Sequence, residues 1–320
     1  MLQGSRAAIA AASRSVLSAR FSAPFLCLAL AACGVTRDQL DAVGAFGKSA
    51  TTLADGVKAG YTQAEQNEVD LRLAQYIVYE RGPPSDTPTQ ILSGFRKPLF
   101  DLSKTKIKGR TAAAEALDAY GKALSTLVDS KSQESDFSTA VTSLTGAVKN
   151  LPGSVLSTAG ITSSELDGIG KVVGAVGDLA LDLRRRQVLE EVVPAAQPVV
   201  TKICRMFGRD FDLNGNLVGT IVGEETLQTL ADVENSLKTN GSTMQNRAIL
   251  LPLYQKVASI NANFKVTFGS LKEAADSCAK ASVDLAVSIK DPKYTLDDIT
   301  NFVAKAQAAY NAIKATSGSR

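Results

Sequence analysis

The stretch ILLPLYQKVASINANFKVTFGSLKEAADSCAKASVDLAVSI, residues 249–289, decides the fold class. Its apolar and small residues stand at Ile249, Leu253, Val257, Ile260, Phe264, Phe268, Leu271, Ala275, Cys278, Ser282, Leu285 and Ile289. The steps are four and three throughout, so all twelve lie on one stripe of an α-helix of 3.6 residues per turn. A strand would alternate in steps of two. Asp291-Pro292 ends the stretch, because proline supplies no backbone N–H and clashes with the preceding turn. A helix of about 40 residues spans about 60 Å, at 1.5 Å per residue.

The flanks read the same way. On the C-terminal side Thr295 caps a last helix with its stripe at Leu296, Ile299, Val303, Ala306, Tyr310 and Ile313. Far upstream, Thr36-Arg37-Asp38-Gln39 is a capping-box pattern. From it, Leu40, Val43, Gly47, Ala50, Ala54, Val57, Tyr61, Ala64, Leu71 and Val78 step by three, four and seven. Nothing breaks that run before Gly82-Pro83-Pro84, which predicts a helix of about 45 residues, about 65 Å long.

Between these two long helices the pattern is shorter. Thr87-Pro88 opens a second helix, interrupted at Pro98 and resumed through Leu117, Tyr120, Leu124 and Leu127. Residues 130–135 form a polar turn. Phe137, Val141, Leu144 and Val148 make a short helix closed by Leu151-Pro152-Gly153. Ser163-Ser164-Glu165 starts a stretch that reaches about Phe207, with bends at Pro194 and Pro198. Residues 208–223 differ, because Phe211, Leu213, Leu217 and Val218 flank Asn214-Gly215, a hairpin signal. A small two-stranded excursion or turn is expected there, followed by a helix from Glu224 to about Leu237. The expected fold is all-α: one elongated antiparallel bundle over residues 33–320, with that excursion near 208–223.

Composition agrees. The 320 residues are 45% hydrophobic, ample for a large core, but only 6% aromatic, and alanine supplies much of the rest. There is no histidine. That removes the commonest general base, the Ser-His and Cys-His pairs, and most zinc and iron sites. The expectation is a protein that is not an enzyme and carries no cofactor.

The N-terminal segment is of another kind. Residues 1–32 hold Arg6, Arg14 and Arg20 and no acid, so they carry the whole net charge of +3 and leave the remainder near neutral. The basic charge therefore gives no argument for a nucleic-acid partner. An apolar run from Phe21 to Ala32 ends in Leu30-Ala31-Ala32-Cys33, followed by Gly34. Twelve residues are too few to span a bilayer, which takes about 20.

The Leu-Ala-Ala-Cys end resembles the lipobox of bacterial lipoprotein precursors. The resemblance implies that residues 1–32 are a signal peptide and that the chain is cut before Cys33. The Cys33 thiol would receive a diacylglycerol, the new amine an acyl chain such as palmitate, and two or three chains anchor stably where one does not. It also implies a periplasmic, outer-membrane address in the cell envelope, since Gly34 replaces the aspartate that favours inner-membrane retention. Three other readings of the segment stay open: an ordinary cysteine after a cut at Ala29-Leu30-Ala31, a mitochondrial transit peptide, and a plain membrane anchor.

The remaining candidate sites are few. Cys204 and Cys278, the other cysteines left after processing, could bridge in an oxidising compartment or pack as two buried thiols. Asp210, Asp212, Asn214 and Asn216 alternate like the first half of a calcium loop, but Ile221 stands where the bidentate carboxylate belongs, and a plain Asn-Gly turn explains the same residues. Ser103-x-x-Lys106 and Ser277-x-x-Lys280 match a nucleophile motif in a helical setting without its companion motifs. Arg96, Lys97, Lys104, Lys106, Lys108 and Arg110 form a basic stretch, and Arg184-Arg185-Arg186 a second, each readable as a solvated face or a contact to anionic head groups. Gly168, Gly170, Gly174 and Gly177 suit close helix packing.

The expected role is a helical scaffold or binding module, held to the bilayer through acylated Cys33 and meeting an envelope protein partner. A membrane-active protein that inserts residues 155–181, and an enzyme working through paired carboxylates or a Ser-Lys pair, are the alternatives.

Overall fold

The structure, a computed structural model, describes residues 35–80, 104–129, 150–168, 181–214, 217–291 and 296–317, with scattered positions between 136 and 147. The chain divides into Met1–Val35 and Thr36–Arg320, and the bundle lies in the second unit. Its helices are α1 (Arg37–Glu80), α2 (Lys104–Val128), α3 (Gly153–Ala159), α4 (Leu181–Asp210), α5 (Val218–Asn240), α6 (Met244–Ser288) and α7 (Asp297–Ser317). Among the described residues there is no strand. The fold is an all-α bundle.

The start of α1 is the capping box read from the sequence. The Thr36 N–H donates to Gln39 Oε1 at 2.6 Å, and the Gln39 N–H donates to Thr36 Oγ1 at 3.2 Å. Thr243 caps α6 by accepting the Asn246 N–H at 3.2 Å.

The two long helices, 44 and 45 residues, lie antiparallel. At one end the Gln39 amide donates to the Ser288 carbonyl, and far along Lys256 meets Asp70 at 2.8 Å. The index sum is nearly the same at both points, so the helices keep one register for more than eight turns. On α6 every residue of the sequence stripe from Leu253 to Ile289 is buried, while Ile249 is exposed and Leu250 takes its place.

The shorter helices cover this pair. α2 runs antiparallel along α1 from Gly44–Val128 to Tyr61–Arg110, with Gly47 against Gly121 and Phe46 edge-on to Tyr120. α7 runs parallel to α1, from Phe46–Phe302 to the Thr316 hydroxyl that donates to Gln63. Its buried stripe is Ile299, Phe302, Ala306, Ala309 and Ile313. Ile299, Ala306 and Ile313 of the expected stripe are buried, but Phe302 and Ala309 take the inside in place of Val303, which is more than a third exposed, and Tyr310.

α4 and α5 run one after the other along α6, both antiparallel to it. α4 meets its C-terminal half at Cys204–Cys278 and Thr201–Ser282, and α5 meets its N-terminal half at Gly223–Phe264. Pro194 and Pro198 lie inside α4, and the helix continues through both. Leu151-Pro152-Gly153 follows helical residues that reach Ala147 and also opens α3, with Pro152 at the N-cap. Gly160, at φ 68°, then ends α3 in the left-handed region that glycine adopts without strain.

Between α4 and α5 the expected excursion is a turn and not a hairpin. Asp212 Oδ1 accepts the Asn214 N–H at 3.0 Å, which closes a local turn. Helix resumes at Val218, six residues before the expected Glu224. The alternation misled because its apolar residues serve two helices. Phe211 packs back on α4's neighbours, and Val218 and Val222 begin the buried stripe of α5. The breaks read at 82–84, 87–88, 98 and 130–135, most of the Gly-rich run, Thr295, and the signal segment with Cys33 lie outside the described residues.

Candidate functional site

The break between α4 and α5 is where the bundle concentrates its polar chemistry. Tyr61 on α1, Phe207 and Phe211 on the α4 side, and Phe264 and Phe268 on α6 form one aromatic cluster, with Phe211 stacked on Phe268 at 5.6 Å between centroids. Asp210, the last residue of α4, points into this apolar wall and is only 5% exposed. An aspartate at a helix C-terminus faces the partial negative charge of the open carbonyls. Two donors compensate. The Tyr61 hydroxyl donates to Asp210 Oδ2 at 2.6 Å. Arg110 of α2 clamps the carboxylate with Nε at 2.5 Å from Oδ2 and Nη2 at 3.2 Å from Oδ1.

Burial, then the Asp210 charge, push the Tyr61 phenol well above its ordinary value. Tyr120 is likewise pushed up by burial. Neither phenol can act as a base near neutral pH. The triad binds three helices through one buried charge pair.

The calcium candidates are therefore not brought together. Asp210 is committed to Tyr61 and Arg110, Asp212 to its own turn and to Lys272 at 3.8 Å, and Asn214 is exposed. Asn216 lies outside the described residues. Among the described residues no cluster of three acidic, cysteine or histidine side chains could hold a metal. Arg110 is not part of a solvated basic face, since only 12% of its side chain is exposed.

Ser277 is buried and accepts from Asn301 Nδ2 at 3.2 Å, whereas Lys280 is exposed, so that pair does not form a nucleophile and its base. Ser103 is outside the described residues. Cys204 and Cys278 are joined as a disulfide one and a half turns before the break, with Cα atoms 5.9 Å apart.

A second polar cluster lies farther along α1. Glu68 and Asn67 are buried on the face toward the other helices, and Arg72 pairs with Glu68 one turn on. Across from them Glu225 of α5 has one buried oxygen, Oε2, without a hydrogen-bond partner. Burial, then the Glu68 charge, push the Glu225 carboxyl up to about 7, against the opposing pull of Arg72.

Sequence reading missed both clusters. Tyr61 was absorbed into an apolar stripe and Arg110 into a basic run. The available signal was the seven-residue step from Ala64 to Leu71, which passes over buried Asn67 and Glu68.

At the far end of the bundle, residues 242–249 are all exposed, among them Met244 at 89%, and Leu251 is half exposed beyond them. No helix among the described residues is long and apolar enough to cross a membrane. No protein-family model, no curated protein and no solved structure matches this chain.

Proposed function

We propose that the chain is a lipid-anchored helical lipoprotein of the bacterial cell envelope, tethered through Cys33 and serving as a scaffold or binding module. What supports this reading is the polarity of the bundle. The chain enters at Thr36, three residues after Cys33, beside the Gln39–Ser288 contact. From there α1 and α6 run about 65 Å to the turn between α5 and α6. The exposed Met244, Ile249 and Leu251 lie at the end of the bundle opposite that entry. Exposed apolar side chains grouped at one end mark a contact surface.

The test is metabolic labelling with radioactive palmitate in cells making the full chain. Label enters the protein and stays with the membrane fraction. Cys33→Ser loses the label and is released to the soluble fraction. Equal labelling of the variant refutes the anchor. Crosslinking in the same cells then identifies the partner held at the far end.

A further inference from the structure

The interface that holds α5 is unlike the rest of the bundle. Its fully buried stripe is Val218, Val222, Thr226, Thr229, Val233 and Ser236, three of them hydroxyl-bearing, with Leu230 and Leu237 half-buried against the core. The Thr229 hydroxyl bonds to the Glu225 carbonyl of its own helix at 2.6 Å, and Thr226 likewise bonds to the Val222 carbonyl. Two side-chain hydrogen bonds join it to α1 beside the apolar packing, Gln75 to Thr229 at 2.9 Å and Tyr79 to Asp232 at 3.1 Å. By contrast, α4 is fixed to the same helices by a disulfide, an aromatic cluster and the Asp210 clamp.

Into this interface the fold places two carboxyls, Glu68 and Glu225, and one guanidinium, Arg72. With both carboxyls ionised the cluster holds one uncompensated negative charge, and the buried Oε2 atom of Glu225 meets no hydrogen-bond donor among the described residues. Burying a charge in that state is costly, whereas a neutral carboxyl leaves the cluster balanced.

The other charges nearby do not correct the count. On α1, Asp70 is tied to Lys256 of α6. On α6, Phe264 faces α5 at Gly223, and Lys265 beside it is exposed. On α5 itself Glu224 is exposed.

We propose that α5 is a proton-gated arm of the bundle: it lies fully docked on α1 and α6 while Glu225 is uncharged, and ionisation of Glu225 against Glu68 loosens it.

The elevated Glu225 carboxyl sets the window. Its folded value, about 7, is above the ordinary 4.5. A raised acid favours the docked state fully below the ordinary value and loses that advantage as pH rises through about 7. Loosening α5 uncovers Val222 and Val233, and on α6 the buried Phe264 that faces Gly223.

Hydrogen exchange read by mass spectrometry on the full chain tests this, with rates corrected for the intrinsic effect of pH. Peptides from 218–240 are compared with peptides from α7, between pH 6 and pH 8.5. Protection of α5 should fall by roughly tenfold or more while α7 holds. Glu225→Gln should keep α5 protected at both pH values. Glu68→Gln, which leaves Arg72 to Glu225, should do the same and decides the matter if the first variant does not fold. The proposal is overturned if α5 tracks α7 in the wild type, or if both variants keep the wild-type loss.

Discussion

Asp210 closes α4 with a charge of the wrong sign for a helix C-terminus and is buried besides, so its place in the fold depends on Arg110 and Tyr61. Replacing Arg110 with Met leaves that charge alone, and by analogy with other broken buried pairs it should cost about 3–5 kcal/mol in chemical denaturation. Tyr61→Phe removes one bond to an anion and should cost about 1.5–3 kcal/mol. An Arg110→Met variant as stable as the wild type would show that the clamp contributes nothing. The residue types were visible in the sequence, but their meeting was not. The three lie on separate helices, and no local spacing links residues 61, 110 and 210. For Asp210 the sequence offered a calcium-like alternation instead, and the Tyr61–Arg110 pocket won because it satisfies the carboxylate without an ion.

Helix packing depends on which glycines are surrounded. A Cβ on Gly47 would sit 2.6 Å from the Gly121 carbonyl oxygen, and Gly121 meets Gly47 in the same way, so α1 and α2 cross with backbones in contact. Gly269, inside α6, has nothing within 4 Å of such an atom. One substitution should therefore act with opposite signs. Gly47→Ala should destabilise by about 1–3 kcal/mol through overpacking, whereas Gly269→Ala should stabilise by about 0.5–1 kcal/mol through helix propensity. Thermal melts of the two variants decide it, and equal effects would mean that the crossing is not close. Most helices were legible, since every residue of the three-four stepping from Leu253 to Ile289 is buried. Where apolar residues stood side by side, as at Phe302 and Val303, the sequence could not say which faces inward. Packing against Phe46 chose Phe302. The turn at 211–217 was legible as a break, but its type was not, because period two over so few residues also suits the ends of two helices.

At the scale of the molecule, the Cys204–Cys278 bond closes a loop with a sequence separation of 74 and ties α4 to α6 below the break. In the chain-entropy account such a closure contributes about 4 kcal/mol. Reduction should lower the melting temperature by several degrees with little change in helix content at room temperature, and an unchanged melting temperature would contradict a stabilising bridge. The sequence carried the bundle because long-range helix periodicity is written along the chain. It did not carry a task, because a chain without histidine or a cofactor motif leaves its chemistry to contacts that only folding assembles. The central claim, a bundle tethered at one end by a lipidated cysteine, is tested most directly by the intact mass of the protein extracted from membranes. The account predicts a polypeptide that begins at Cys33 and is heavier than residues 33–320 by a diacylglyceryl group and an acyl chain. A polypeptide that begins at another residue, or one of bare polypeptide mass, would contradict it.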